Sequence, residues 1–137
     1  MAKVKPAVNQ IEIHPFLPNT ELVGFCLSHG ILPEAYSPLS SQDQVPNTGG
    51  KVRTNPTLNE VAERSGNTLE VLLAWGLRRG YVVLPKSSTP SRIDSNLQVP
   101  TLSDADFEAV NKVAEGRHAR FVNMKDTFGD DVWADEK

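Results

Sequence analysis

Residues 81–97, YVVLPKSSTPSRIDSNL, join a short apolar run to a segment of charges and hydroxyl groups. The run YVVLP (81–85) is rich in β-branched residues and too short for a helix, so it predicts a strand. The residues that follow predict a short helix opened by Pro90, because proline is favoured in the first turn of a helix. In α/β proteins, ligands bind where a strand leads into a helix, so the loop between these elements is a candidate binding site.

The same alternation of strand and helix extends through the rest of the chain. PAVNQIEI (6–13) and ILPEAYS (31–37) predict two further strands, with a helix between them that ends near Gly30. The apolar stripe predicted for this helix consists of Leu22, Phe25 and Cys26. Strands that alternate with helices imply right-handed crossovers and a parallel sheet.

Helices are predicted on both sides of the third strand. Residues 57–80 predict a helical unit with a break at Gly66 and two capping boxes, and residues 102–116 predict a helix capped by Ser103. The capping boxes pair Thr57 with Glu60 and Asn67 with Glu70. Helix pairs joined by a glycine-containing turn also occur in helix-turn-helix proteins, so DNA binding remains an open alternative. It is the weakest one, because the net charge of the chain is negative.

Composition narrows the classes of protein to consider. The chain has 137 residues, 39% hydrophobic and 23% charged, with a formal net charge of -3, as expected of one soluble domain. Nucleic acid is a disfavoured partner because phosphates are bound by clustered Lys and Arg, and no apolar run is long enough to cross a membrane. One cysteine excludes an intramolecular disulfide, and residues 1–15 lack the apolar stretch of a signal peptide. A cytoplasmic protein is expected.

Cationic and hydroxyl side chains are concentrated after the third strand. Lys86 and Arg92 carry charge, and Ser87, Ser88 and Thr89 lie between them. A phosphate monoester at the start of the following helix would meet unpaired backbone N–H groups as well as these side chains. An equally acceptable interpretation is that both charges are solvated and the hydroxyl groups only cap the helix. The residues alone leave both interpretations open.

Polar side chains also lie on the first two predicted strands. Tyr36 could stack on a flat ring, and the serines at 37, 40 and 41 could donate hydrogen bonds to a diphosphate, although packing is the simpler role for the tyrosine. Gln10 alternates imperfectly with the apolar Val8, Ile11 and Ile13, so its side chain could point at a buried position, where a carboxamide needs partners. It could bind a ligand amide or pair with the backbone of a neighbouring strand.

Three motifs resemble the last third of the aldo-keto reductases. They are VNQIEIHPFLP (8–18), EAYSPLSS (34–41) and LPKSSTPSRIDSNL (84–97), and the tail RFVNMKDTFGDDVW (120–133) resembles fungal or yeast-like members. The resemblance runs from Lys5 to the end, and it implies that residues 1–137 are one partial aldo-keto reductase domain. The implied fold is α/β, the C-terminal part of a (β/α)8 TIM barrel with about three βα units plus a C-terminal helix and tail. The first and third strands would be open sheet edges, which favours self-association.

The resemblance also implies an NADP(H) site across the carboxyl ends of the strands. Gln10 would bond the nicotinamide carboxamide, and Tyr36 would stack beneath the nicotinamide ring. Ser37, Leu39 and Ser41 would line the pyrophosphate.

The same resemblance answers which anion the loop after the third strand would hold. It implies that a ribose 2′-phosphate lies among Lys86, Ser87, Thr89 and Arg92. Ser88 belongs to the same cofactor-binding set, and Asn96 would reach the adenine. Ser95 departs from the acidic or amide residue that is common beside that asparagine.

The family's catalytic residues are not among the matched positions. Its reaction uses a tyrosine, a lysine, an aspartate and a histidine from the first half of the barrel, so no catalytic residue and no metal site are predicted here. His14 corresponds to a non-catalytic position where a hydrogen-bonding role is expected. The resemblance thus implies part of an NADP(H)-dependent oxidoreductase of small-molecule carbonyls or alcohols, inactive by itself. The alternative is an inactive half-barrel that serves as a nucleotide-binding or interaction module.

Overall fold

The computed structural model describes residues 3–40, 52–66 and 68–134, and within them the predicted alternation of strands and helices is confirmed. The elements are β1 (Val8–Glu12), α1 (Thr20–Ser28), β2 (Leu32–Tyr36), a 3-10 turn (Val52–Thr54), α2 (Pro56–Ser65), α3 (Thr68–Arg78), β3 (Val82–Val83), α4 (Pro90–Ser95), α5 (Asp104–Ala114) and α6 (Lys125–Phe128). Neither the 3-10 turn nor α6 is predicted from the sequence, because three or four residues carry too little periodicity. None of the described helices combines the length and the apolar character needed to span a membrane.

The three strands form one parallel sheet in the order β1-β2-β3. Gln10 lies opposite Glu34, which in turn lies opposite Val82. The first and third strands are therefore the two edges of the described sheet, as predicted. Because all three strands run in the same direction, their carboxyl ends meet at one end of the sheet.

One face of the sheet packs against the helices. Ile11, Ala35 and Val83 contact a hydrophobic core that includes Trp75 of α3 and Val110 of α5. Successive side chains of a strand point to opposite faces, so residues at alternate positions supply this core. Burial of this one face is what holds the helices on the sheet.

The opposite face of the sheet is only partly covered within the described part of the chain. Val8 and Leu32 lie opposite one another and are 42% and 41% exposed, and Leu84, just beyond β3, is 40% exposed. Parallel sheets are normally covered on both faces. This face therefore presents apolar surface that a complete barrel would enclose.

The apolar stripe of α1 differs from the predicted one. The helix buries Val23 and Cys26, whereas Leu22 and Phe25 are exposed. Residues three apart share a helix face, and Cys26 is on the face that meets β1, where its Sγ lies 3.5 Å from the side-chain nitrogen of Asn9. The prediction is wrong for two of its three residues because both adjacent faces are apolar, and only the packing of the helix decides which one is buried.

One of the predicted helix caps is wrong and one is confirmed. The N-cap of α2 is Asn55, whose side chain accepts a backbone N–H at 3.2 Å. Pro56 takes the first helical position, so Thr57 lies inside the helix and does not form the predicted capping box. Ser103 caps α5 as predicted. The other predicted box includes Asn67, which lies outside the described residues.

Candidate cofactor site

Most of the predicted cofactor residues lie at the carboxyl end of the sheet. Tyr36 is the last residue of β2 and residues 86–96 follow β3, whereas Gln10 is the middle residue of β1. Parallel pairing brings these regions, which are distant in sequence, to the same end of the sheet. In α/β folds, ligands bind at this end.

Both predicted cations are presented to solvent, Lys86 in the loop between β3 and α4 and Arg92 within α4. Lys86 and Arg92 are exposed, and within the described residues no carboxylate pairs with either one. The Thr89 N–H donates to Ser87 Oγ at 3.1 Å, and the Thr89 carbonyl accepts from Arg92 N at 3.0 Å. The Thr89 hydroxyl makes no cap hydrogen bond, and Ser88 is exposed. Helix capping therefore does not account for the hydroxyl groups at 88 and 89.

The segment after β2 turns sharply on two serines. Ser37 and Ser40 have φ values of 51° and 56°, and Ser40 N donates to Ser37 O at 2.9 Å. Residues other than glycine in this left-handed region store strain, which is concentrated at ligand sites. Tyr36, Ser37 and Leu39 are half-buried along this turn, and Ser41 lies outside the described residues.

Gln10 does not occupy the buried position expected for it. It is exposed, and its side-chain amide donates to the carboxylate of Glu34, its neighbour in register, instead of to backbone. The expectation is wrong because it assumes a sheet that is covered on both faces. Asn96 is half-buried at the C-cap of α4, where its backbone N–H donates to Arg92 O at 3.0 Å.

Sequence analysis misses a buried carboxylate at the end of β1. Glu12 is fully buried, and its oxygens accept the backbone N–H groups of Phe121 and Val122 at 2.8 and 3.1 Å. Arg120 Nη1 lies 3.5 Å from the same carboxylate and compensates its charge. An acidic residue between two isoleucines of a strand is a signal that the charge has partners, but it does not say which ones.

His14 completes this buried cluster. Its Nδ1 accepts the Phe16 N–H at 3.2 Å, so the ring proton resides on Nε2, which donates to Glu12 Oε1 at 2.9 Å. Burial lowers the pKa of His14, and this effect outweighs the opposite influence of the nearby Glu12 carboxylate. The neutral imidazole thus has the hydrogen-bonding role that the sequence predicts.

The same contacts fix the course of the tail, which has no clear period in the sequence. The Phe121 ring stacks on the imidazole with centroids 4.5 Å apart, and the guanidinium of Arg120 lies 3.7 Å from the Trp133 ring centroid. Glu12 lies opposite Tyr36 in the sheet register. The tail is therefore anchored beside the strand end where a nicotinamide ring is predicted.

Known proteins match the chain in both sequence and structure. The sequence model of the Aldo/keto reductase family matches residues 1–115. Glycerol 2-dehydrogenase (NADP(+)) of Hypocrea jecorina is 73% identical, covering 100% of this chain and 43% of that protein. The protein of the same name from Saccharomyces cerevisiae is 46% identical, covering 88% of this chain and 37% of its own length. The structure of aldose reductase from Giardia lamblia superposes with a TM-score of 0.82 at 37% identity, covering 96% of this chain and 44% of that one.

These matches define both the family and the extent of the chain within it. The chain spans less than half the length of the two fungal relatives and of the Giardia protein. The three-stranded parallel sheet and its helices are accordingly part of a (β/α)8 barrel. With a family match over most of its residues and a closely superposing structure, the chain belongs to the aldo/keto reductase family.

Proposed function

We propose that this chain is the C-terminal, cofactor-binding portion of an NADP(H)-dependent oxidoreductase that interconverts small carbonyl compounds and alcohols. The observation that carries the proposal is the exposed pair of cations, Lys86 and Arg92, unpaired within the described residues at the carboxyl end of the sheet. The two fungal relatives are named as NADP(+)-dependent glycerol 2-dehydrogenases. Those names support both the cofactor and a small polyol as the alcohol.

A ribose 2′-phosphate fits the loop on charge and on hydrogen-bonding groups. The net charge of the chain is -3, so a polyphosphate gains no long-range attraction and its affinity has to come from local cations. Lys86 supplies a point charge, whereas the planar guanidinium of Arg92 can bond two phosphate oxygens. The exposed hydroxyl groups of Ser88 and Thr89 add donors beside them, and Ser87 holds the loop in shape.

The pyrophosphate and the nicotinamide half of the cofactor lie across the same end of the sheet in this proposal. The pyrophosphate lies against the turn at Ser37, with Leu39 and Ser41 beside it, and the nicotinamide ring stacks on Tyr36. Gln10 bonds the carboxamide once its amide exchanges its present side-chain partner for the ligand. The bound nicotinamide supplies or accepts a hydride, while the residues of this chain bind and orient it.

We assign no proton donor for the reaction within this chain. General acid catalysis requires a donor whose pKa lies near neutrality, positioned at the reacting oxygen. Burial raises the pKa of the Tyr81 phenol, which lies in the core, and His14 is neutral, buried and bonded to Glu12. Tyr36 is committed to the cofactor ring. The chain by itself is therefore expected to bind cofactor without turning over substrate.

A second candidate function is an inactive nucleotide-binding or interaction module. The partly covered sheet face favours it, because Val8 and Leu32 present adjacent apolar surface there. The two candidate functions predict different activities for a chimera in which this chain is joined to the N-terminal part of the Hypocrea relative. Carbonyl-dependent NADPH oxidation by that chimera would support the oxidoreductase, and its absence in a folded chimera would support the module.

Titration with NADPH and NADH, followed by nucleotide fluorescence, tests the cofactor assignment. NADPH is expected to bind more tightly, and Arg92→Ala is expected to weaken NADPH binding by about 1 to 3 kcal/mol, the range for a charge-assisted hydrogen bond. NADH binding should change little. Lys112→Ala removes the same charge from an exposed position on α5 and should alter neither affinity. Equal affinity of the unchanged chain for both nucleotides would contradict the assignment.

A further inference from the structure

A tight turn after β1 fixes the backbone next to the His14 ring. His14 N donates to Leu17 O at 3.3 Å, and Leu17 N donates to His14 O at 2.9 Å, so the turn is closed from both sides. His14, Phe16 and Leu17 are all buried. Because a packed interior leaves little free volume, the imidazole has little room to move relative to the Phe16 N–H.

The Nδ1 atom of His14 has a partner that fits only the neutral ring. It accepts the Phe16 N–H at 3.2 Å, while Nε2 donates to Glu12 Oε1 at 2.9 Å. A second ring proton would reside on Nδ1, and both ring nitrogens of a protonated histidine are donors. The Nδ1 proton would then face the Phe16 N–H, and the hydrogen bond between them would be lost.

The charges around the ring do not favour a further cation. Glu12, on β1, and Arg120, in the tail, are the charged groups that act on His14 within the described residues. The turn itself contributes no charged side chain. Arg120 Nη1 lies 3.5 Å from Glu12 Oε2, so a protonated His14 would be the second cation beside a single buried carboxylate.

The tail is bound to the same turn. Ala119, the residue before the tail, donates its backbone N–H to Phe16 O at 2.7 Å. Phe121 stacks on the imidazole with centroids 4.5 Å apart. Phe16 thus contacts the imidazole through its N–H and holds the start of the tail through its carbonyl. A shift of Phe16 that separates the two opposed donors also disturbs the bond to Ala119.

We propose that protonation of His14 releases the tail from the end of β1, while the sheet and helices α1 to α5 stay folded. The release concerns the tail and not the cofactor, so it does not depend on the proposed function. Glu12 lies opposite Tyr36 in the sheet. Acid therefore opens the end of the sheet beside Tyr36, and neutral pH closes it.

Hydrogen exchange of the Ala119 amide at about pH 7.5 and 5.5 tests this proposal. The quantity compared is the protection factor, the exchange rate of an unstructured peptide at the same pH divided by the observed rate. In the detached tail His14 has its ordinary pKa near 6.5, so opening becomes more favourable below that pH, by at most about tenfold per pH unit. The protection of Ala119 is expected to fall by about five- to tenfold. A change of less than about twofold would overturn the proposal.

Low concentrations of urea distinguish release of the tail from unfolding of the whole chain. Local opening exposes little surface, so exchange at Ala119 should respond weakly to urea at about pH 5.5. Exchange in β2, the central strand, should respond steeply, because those amides exchange through global unfolding. An equally steep response at Ala119 would mean that acid unfolds the whole chain, and it would overturn the proposal.

His14→Asn removes the titrating ring and keeps a polar side chain. The protection of Ala119 in this variant should differ by no more than about twofold between the two pH values. His29→Asn, at the exposed C-cap of α1, should keep the full response. A full response in His14→Asn would assign the acid sensitivity to another group and overturn the proposal.

Nitrogen NMR of the His14 ring in the unchanged chain gives a measurement that needs no substitution. It reports directly whether Nδ1 carries a proton. Protonation of Nδ1 is expected over the same pH range in which Ala119 loses protection. A protonated His14 ring with Ala119 still protected, or loss of that protection with the ring still neutral, would overturn the proposal.

Discussion

Removing the Glu12 carboxylate is expected to detach the tail from the end of β1. Glu12→Ala leaves the His14 Nε2–H and the Phe121 N–H without the acceptor they share in the interior, and it removes the ion pair between Glu12 and Arg120. An unpaired buried donor costs about 1 to 3 kcal/mol, and breaking a buried ion pair by removing one partner costs about 3 to 5 kcal/mol. Because these contributions overlap, tail docking should lose about 3 to 5 kcal/mol.

Hydrogen exchange at the Ala119 amide reports this detachment at a bond that the substitution leaves in place. Ala119 N donates to Phe16 O at 2.7 Å, which ties the tail to the loop after β1. A loss of about 3 kcal/mol raises the rate of exchange through local opening by more than about a hundredfold, since 1.36 kcal/mol is a factor of ten. Mass spectrometry of the peptide that contains Ala119 measures this rate.

A matched variant separates this effect from general loss of charge. Glu63 is exposed on α2, so Glu63→Ala should change the Ala119 exchange rate by no more than about twofold. Glu12→Gln should give an intermediate rate, because it keeps a carbonyl acceptor and loses the charge that Arg120 compensates. An Ala119 exchange rate in Glu12→Ala within about twofold of the unchanged chain would refute the idea that Glu12 holds the tail.

Two further predictions concern pH and association. His14 has a lowered pKa when folded and an ordinary value near 6.5 when unfolded, so the unfolded chain binds more protons and the free energy of unfolding should fall as pH drops below about 6.5. Urea midpoints at about pH 7.5 and 5.5 measure this, and a midpoint that does not move would contradict it. Sedimentation at tens of micromolar should show self-association through the exposed sheet face. Leu32→Lys should weaken this association, whereas Leu97→Lys, at a residue exposed outside the sheet, should not. A chain that stays monomeric at all concentrations would contradict the prediction.

The fold was predictable where the signal is local. β3 belongs to a short apolar run, and β1 and β2 lie in short segments with β-branched or aromatic residues. Ser103, whose side chain caps α5, marks the start of that helix in the sequence. The buried face of α1 was not predictable, since Val23 and Leu22 are both apolar and only the packing of the helix on the sheet selects between them. Packing between elements, which a single sequence does not encode locally, decides such cases.

The residues of the candidate site were likewise predictable only where the signal is local in sequence. Lys86 and Arg92 are six residues apart in sequence, in the loop after β3 and the first turns of α4, so a shared anion site could be suggested from the chain alone. Glu12 finds its partner Phe121 109 residues later, which no local pattern indicates.

The most direct test of the account uses the part of the cofactor that the loop after β3 is proposed to hold. Adenosine 2′,5′-bisphosphate and AMP differ only in the 2′-phosphate, and neither involves the nicotinamide half of the site. Calorimetric titration is expected to show the bisphosphate binding about tenfold or more tightly than AMP, with an advantage that shrinks as salt is added and disappears in Arg92→Ala. Equal binding of the two nucleotides by the unchanged chain would contradict the assignment of Lys86 and Arg92 to a ribose 2′-phosphate.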